Sequence, residues 1–223
     1  MLIRLLISLG LALGLTNAAS NVTVQVLGAI SACRDAAAGM DGVYLLHPIL
    51  SSTAPFPAYC ENSVQGGGWT VIHRRFDDSL SFNRTWADFK NGFGDLQGQL
   101  WLGLEKLHQI TRFFDHELLV LTTYKDGSSR SARFNGFAVE SELNLYQLRI
   151  GDLVAGNFYS DFAKHNGWTF SAFDKGKVGK GCAELLGAGW WYGHFCYYQN
   201  WNLGFAAPYA MKEKEARMLI RRL

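Results

Sequence analysis

Gly66-Gly67-Gly68-Trp69-Thr70-Val71-Ile72-His73-Arg74-Arg75 is the stretch on which the architecture turns. Three consecutive glycines make a turn that side-chain-bearing residues resist, and β-branched and aromatic residues follow at once, so a loop enters a strand. Working outward, Glu117 to Tyr124 reads as a strand, Lys125-Asp126-Gly127 as a turn and Ser131 to Val139 as the returning strand. Asp-Gly between apolar runs is a strong hairpin signal. Leu145 to Ile150 supplies a third strand, and Asp41 to Leu46 reads as a turn feeding another. Thr85 to Lys90 and Gly103 to Thr111 read as short helices, and Ser51 to Pro57 as a loop. After about residue 155 the periodicity fades and little regular structure is expected. The chain closes with Arg217-Met218-Leu219-Ile220-Arg221-Arg222, a strand that returns to the central sheet. The fold class is therefore α+β.

Composition narrows the class. The chain has 223 residues, 48% hydrophobic and 18% charged, with a formal net charge of +2. That length suits one domain, and the balance leaves no electrostatic footprint for nucleic acid. Twenty-four Gly, 15 Phe, 9 Tyr and 7 Trp against 4 Pro point to a turn-rich chain with rings filling an irregular core. No heptad or Gly-X-Y period exists, which excludes coiled coil and collagen.

Residues 1–19 read as a secretory signal: a basic start to Arg4, an apolar run Leu5 to Leu15 and a small-residue exit at Thr16-Asn17-Ala18-Ala19. The run is about half the roughly 20 residues a membrane span needs. Residues 20–32 form a short lead, and 33–223 the domain. Four cysteines, Cys33, Cys60, Cys182 and Cys196, suit two disulfides in a secreted chain, and spacing leaves three pairings open. Two local loops are the simplest of them. Zinc lacks paired Cys/His spacing. Asn21-Val22-Thr23 and Asn83-Arg84-Thr85 are glycosylation sequons.

Enzyme motifs are absent: there is no His-Glu-x-x-His and no Gly-x-Ser-x-Gly. Asp174 to Gly181 lacks the Ser or Thr that follows the lysine of a phosphate loop, and Gly176 and Val178 stand where a calcium loop needs oxygen ligands. The densest feature is Gly189-Trp190-Trp191-Tyr192-Gly193-His194-Phe195-Cys196-Tyr197-Tyr198-Gln199-Asn200-Trp201-Asn202. Rings beside amides and a histidine can grip small apolar or acetyl groups while bonding their polar ends. The competing reading packs these rings around a disulfide, and it suits Trp190 and Trp191 best. Tyr192, His194, Tyr197, Tyr198, Asn200 and Trp201 are the candidate ligand residues.

At these residues the chain resembles the fibrinogen C-terminal domain family. The resemblance runs from Cys33 to Arg221. It rests on Gly66 to Arg75, Phe82-Asn83-Arg84-Thr85-Trp86, Gly92-Phe93-Gly94, Trp101-Leu102-Gly103, His165-Asn166-Gly167, Cys182-Ala183, Gly189 to Tyr192 and the closing Met218 to Arg221. It implies a fibrinogen-type globular domain with a central mixed, mainly antiparallel sheet, short helices and a loop-rich C-terminal region. It also selects the pairing Cys33–Cys60 and Cys182–Cys196, and a secreted, extracellular, non-enzymatic recognition role. Family lectins of the ficolin and tachylectin type bind acetylated sugars in innate immunity, so a glycan or acetylated surface is the first expected partner. Angiopoietin-like or tenascin-like binding to a receptor or matrix protein is the alternative. Family calcium sites use an Asp-x-Asp-Asn-Asp run, whereas Phe170-Ser171-Ala172-Phe173-Asp174 keeps only the first acid, so no metal or other cofactor is expected. Lectin-type members carry His directly after the second cysteine of this loop, where this chain has Tyr197. The short lead and the absence of a spare cysteine leave oligomerisation to the domain itself.

Overall fold

A computed structural model describes residues 29–36, 39–157, 161–196, 199–203 and 213–223. The leader, Asn21, Tyr197 and Tyr198 lie outside the described residues. The main sheet is built from β1 (Gly42–Leu46), β2 (Phe56–Glu61), β3 (Trp69–Arg75), β4 (Phe93–Gly94), β5 (Leu100–Trp101), β6 (His116–Tyr124), β7 (Ser129–Phe134), β10 (Leu153–Gly156) and β13 (Glu213–Arg222). Two ribbons flank it: β8 (Ala138–Val139) with β9 (Leu148–Arg149), and β11 (Phe170–Ser171) with β12 (Trp190–Trp191). The spatial order is β1-β2-β3-β13-β6-β7-β10, with β5 on β3 and β4 on β5. The ladders between these strands are antiparallel. One parallel bridge, Ile30 with Leu46, lies beside β1.

The glycine turn feeds β3 as the sequence implies. Gly66, Gly67 and Gly68 take φ of +86°, +74° and +75°, and a Cβ on Gly67 would meet the Asn62 carbonyl at 2.5 Å. Every residue of β3 is buried, as a strand covered on both faces must be. β13 pairs with β3 on one side and β6 on the other. Its register on β3 slips between Met218–His73 and Leu219–Val71. Ile72 is the extra residue of that bulge, and it and His73 both enter the main core, His73 against Trp101 and Phe82.

The opposite face carries a thinner layer of Trp69, Val71, Leu100, Leu119 and Leu219. Arginine guanidinium groups close it. Arg221 lies 4.2 Å above the Trp69 ring, and Arg74 5.1 Å above Tyr59. Two carboxylates sit among these cations. Glu61 accepts from Arg74 at 3.0 Å and Arg217 at 2.9 Å. Glu117 accepts from Arg221 Nη2 at 2.6 Å and lies 3.5 Å from Arg133 Nε. A buried charge survives only when paired. Cys33–Cys60 joins the N-terminal 3-10 turn to β2 across a separation of 27 residues.

Helix α1 (Trp86–Asn91) starts at Thr85, whose Oγ1 accepts from the Asp88 amide while the Asp88 carboxylate accepts from the Thr85 amide. Helix α2 (Leu104–Thr111) buries Leu104 and Leu107. Two expectations fail. Leu145 and Tyr146 are not in a strand: they take φ of +50° and +48°, and β9 spans only Leu148–Arg149. The turn is held by distant groups. Tyr146 donates to Glu105 at 2.7 Å, Trp191 Nε1 donates to the Tyr146 carbonyl at 2.8 Å, and the Phe170 amide to the Leu145 carbonyl at 2.9 Å. The region after residue 155 contains a helix, α3 (Lys180–Leu186), ended by Gly187 at φ +63°. The aromatic and glycine content around it hid a short helix with a glycine stop.

Two predictions follow from the buried charges. Glu61→Ala leaves the buried Arg74 without a carboxylate, while Arg217 keeps Glu215 at 3.4 Å, so the unfolding free energy should drop by about 3 kcal/mol, measured by urea denaturation. Burial, then the nearby Arg75 cation, holds the pKa of His73 down to about 3; burial holds His116 down to about 4, both from an ordinary 6.5. Below 6.5 the unfolded chain binds protons that the folded chain refuses, so stability is lost as pH falls. Each histidine contributes about 1.4 kcal/mol per pH unit between its two pKa values. A denaturation series should therefore show a shallower acid dependence for His73→Phe than for the wild type over roughly pH 6 to 4.

Candidate functional site

The aromatic segment is raised on β12 and pinned by Cys182–Cys196, which links α3 to the following loop across a separation of 14 residues. Trp190 and Trp191 are fully buried. Trp191 lies 5.3 Å from Phe170 and Trp190 5.7 Å from Phe162. His165 Nδ1 bonds the Trp191 carbonyl at 2.7 Å. These rings form the floor of the region.

The candidate ligand residues divide. Tyr192 is buried; its hydroxyl donates to the Ala188 carbonyl at 2.6 Å and accepts from Asn200 Nδ2 at 2.8 Å. Burial pushes the phenol pKa up, so the hydroxyl stays a neutral donor. Asn200 Oδ1 accepts from the Asn202 amide, and Asn202 Nδ2 donates to the Gly189 carbonyl, both at 2.8 Å. Trp201 is buried against Phe162, with centroids 5.2 Å apart. Tyr192, Asn200 and Trp201 are thus brought together as a frame that ties residues 199–203 to 188–192. His194 alone among the described candidates faces solvent.

Three apolar side chains are exposed on the segments that the bridge joins. Phe195 is 68% exposed, Leu185 on α3 58% and Val178 49%. Gly193 lies against the Trp168 ring, where any Cβ would collide. None of these is among the candidate ligand residues that the sequence offers. Phe195 lies within the aromatic run Gly189 to Asn202, and nothing local distinguishes it from the rings that turn inward. The loop before α3 is also fastened down. Asp174 accepts from the Trp86 amide at 2.8 Å, and Lys175 reaches Glu142 at 3.0 Å. Hydrogen bonds from Lys90, Trp86 and Lys175 hold the Glu142 carboxyl down to about 2. Among the described residues no group of three or more His, Cys, Asp or Glu gathers as a metal site would require. Surface apolar groups over a rigid aromatic floor can bind another molecule.

A central antiparallel sheet, a disulfide-held edge and a bridged, ring-floored C-terminal region define the fibrinogen-like globe. The chain belongs to the family of the C-terminal globular domain of fibrinogen beta and gamma chains, whose model matches residues 31–215. Human angiopoietin-related protein 6 is 42% identical over 146 residues, covering 65% of this chain and 31% of that protein. Human fibrinogen-like protein 1 is 38% identical over 189 residues, covering 78% and 60%. The chain thus spans from about a third to three-fifths of the length of these relatives. The solved fibrinogen-like globe domain of human ANGPTL6 superposes with a TM-score of 0.70 at 34% identity, covering 83% of this chain and 90% of that one. Lamprey fibrin D-dimer, solved with the peptide Gly-His-Arg-Pro-amide, gives 0.68 at 25% identity, covering 81% and 68%.

Removing the bridge tests how far it holds this region. Cys182→Ser with Cys196→Ser should cost about 3 kcal/mol of stability, the loop-closure value for this separation, read as a lower urea midpoint.

Proposed function

We propose that the chain is a secreted, extracellular recognition module that binds a protein partner, a receptor or matrix component, through the face carrying His194, Phe195, Leu185 and Val178. The carrying observation is that exposed apolar triad on segments joined by Cys182–Cys196. Exposed apolar groups on a rigid support suit protein recognition. The relatives support the same reading, since angiopoietin-related and fibrinogen-like proteins are among the proteins similar to this chain. The acetylated-glycan reading falls behind, because the Tyr192 hydroxyl and the Asn200 and Asn202 amides are bonded within the fold. The two disulfides accord with an oxidising compartment. No helix among the described residues is long and apolar enough to cross a membrane. Asn83 is exposed and is proposed as a glycan acceptor; Asn21 belongs to the same proposal from sequence. The loop 170–182 is proposed to work without calcium, with Asp174 engaged by α1.

The test is a parallel screen of the disulfide-bonded chain against receptor and matrix ectodomains and against a glycan array of N-acetylated and non-acetylated pairs. A protein partner is expected, with binding weakened about tenfold by Phe195→Asp at unchanged melting temperature. Acetyl-selective glycan binding that Phe195→Asp leaves intact overturns the reading. Calorimetric titration with calcium is expected to give no stoichiometric heat.

A further inference from the structure

A second surface stands apart from the proposed one and shares no residue with it. Leu50 is 69% exposed and Phe113 and Phe114 are 51% and 40% exposed. They sit on the β1–β2 and α2–β6 loops, which are joined where the Arg112 guanidinium donates to the Leu50 carbonyl. Arg112 also lies over the Phe113 ring at 4.5 Å, and Arg222 over Phe114 at 5.2 Å. The Leu223 amide donates to the Asp115 carbonyl at 3.0 Å, closing the C-terminal strand onto this loop. Beyond Arg222 the surface opens into a cleft of about 480 Å³ between Arg34 and the Gly66–Gly68 turn.

The charge of that cleft is uneven. The charged side chains of its lining are Arg34, Arg221 and Arg222 against Glu117. Arg221 is spent: it bonds Glu117 and the Gln65 and Gly67 carbonyls. Arg222 has Asp35 at 3.7 Å, a long pair. Arg34 is exposed, reaches the Arg222 carbonyl at 3.4 Å and has no carboxylate partner among the described residues. Arg34, Arg112 and Arg222 thus outnumber the carboxylates on the same segments, Asp35 and the exposed Asp115, which leaves one cation over beside an apolar ledge.

We propose that this face, Leu50 and Phe113–Phe114 together with Arg34, Arg112 and Arg222, docks an acidic, apolar-containing extended segment of a partner protein. Its carboxylates lie on Arg34 and Arg222, and its apolar side chains on the two phenylalanines. Charge complementarity selects the acidic half. The ledge selects a polypeptide over a sulfated sugar, because a polyanion uses the arginines and leaves the rings idle. Aromatic residues with arginines are the composition of protein-interface hot spots.

The probes are fluorescein-labelled dodecapeptides read by anisotropy: one alternating Glu with Phe and Leu, one with Glu replaced by Lys, and one with Phe and Leu replaced by Ser. A heparin-derived octasaccharide is the fourth probe. The first peptide is expected to bind at least about tenfold tighter than the other three probes. Arg34→Glu and Phe113→Ser should each weaken it about fivefold or more at unchanged melting temperature, with the exposed Leu143→Ser and Leu153→Ser as indifferent controls. Absence of binding by the first peptide overturns the proposal. Equal binding by the Ser peptide or the octasaccharide overturns it in favour of a simple polyanion surface. Equal loss in the control variants overturns it in favour of unspecific adhesion.

Discussion

The structure depends on β13 lying between β3 and β6. A strand in that place has its amide and carbonyl groups taken up on both edges, and a buried backbone allows nothing less. The consequence is that the last ten residues of the sheet hold strands separated from them by about a hundred positions and more. A bulge is the adjustment that this pairing demands. It turns His73 inward beneath Trp101 and Trp190, which couples the sheet to the ring cluster under the C-terminal loops.

Charge is handled by pairing across strands. Glu61 and Glu117 each draw arginines from other strands of the sheet, and two of those arginines, Arg221 and Arg74, lay their guanidinium groups over Trp69 and Tyr59. The second face is thereby sealed with amphipathic side chains in place of another layer of structure. Arg75 extends the same device between regions: it stacks on Phe82 at 4.2 Å and donates to the Asn202 carbonyl at 2.9 Å. The loop segment of the candidate site is thus clamped to the sheet.

That clamp explains the division of labour in the aromatic run. A loop without ladders needs its polar groups satisfied internally, and Tyr192, Asn200 and Asn202 do so. Their side chains are consumed in holding shape. What remains for a partner is the exposed shell of Phe195, Leu185 and Val178, which has the bridge beneath it.

Local chemistry made much of the fold legible. The glycine turn before Trp69, the Asp126-Gly127 hairpin, the capped start of α1 and the closing strand are all written within a few residues of where they act. The sequence by itself therefore determined the type of these elements, the four bridging cysteines and the family resemblance. It did not determine which rings face inward. Trp201 and Phe195 are alike in hydrophobicity, yet one is 1% exposed and the other 68%. Leu145 and Tyr146 carry a strand's alternation, but Glu105, Phe170 and Trp191 hold them in a left-handed turn. In each case the deciding contacts come from residues far along the chain, and periodicity within a window carries no information about them. The tertiary structure alone decided which side chains serve the frame and which are left to meet another molecule.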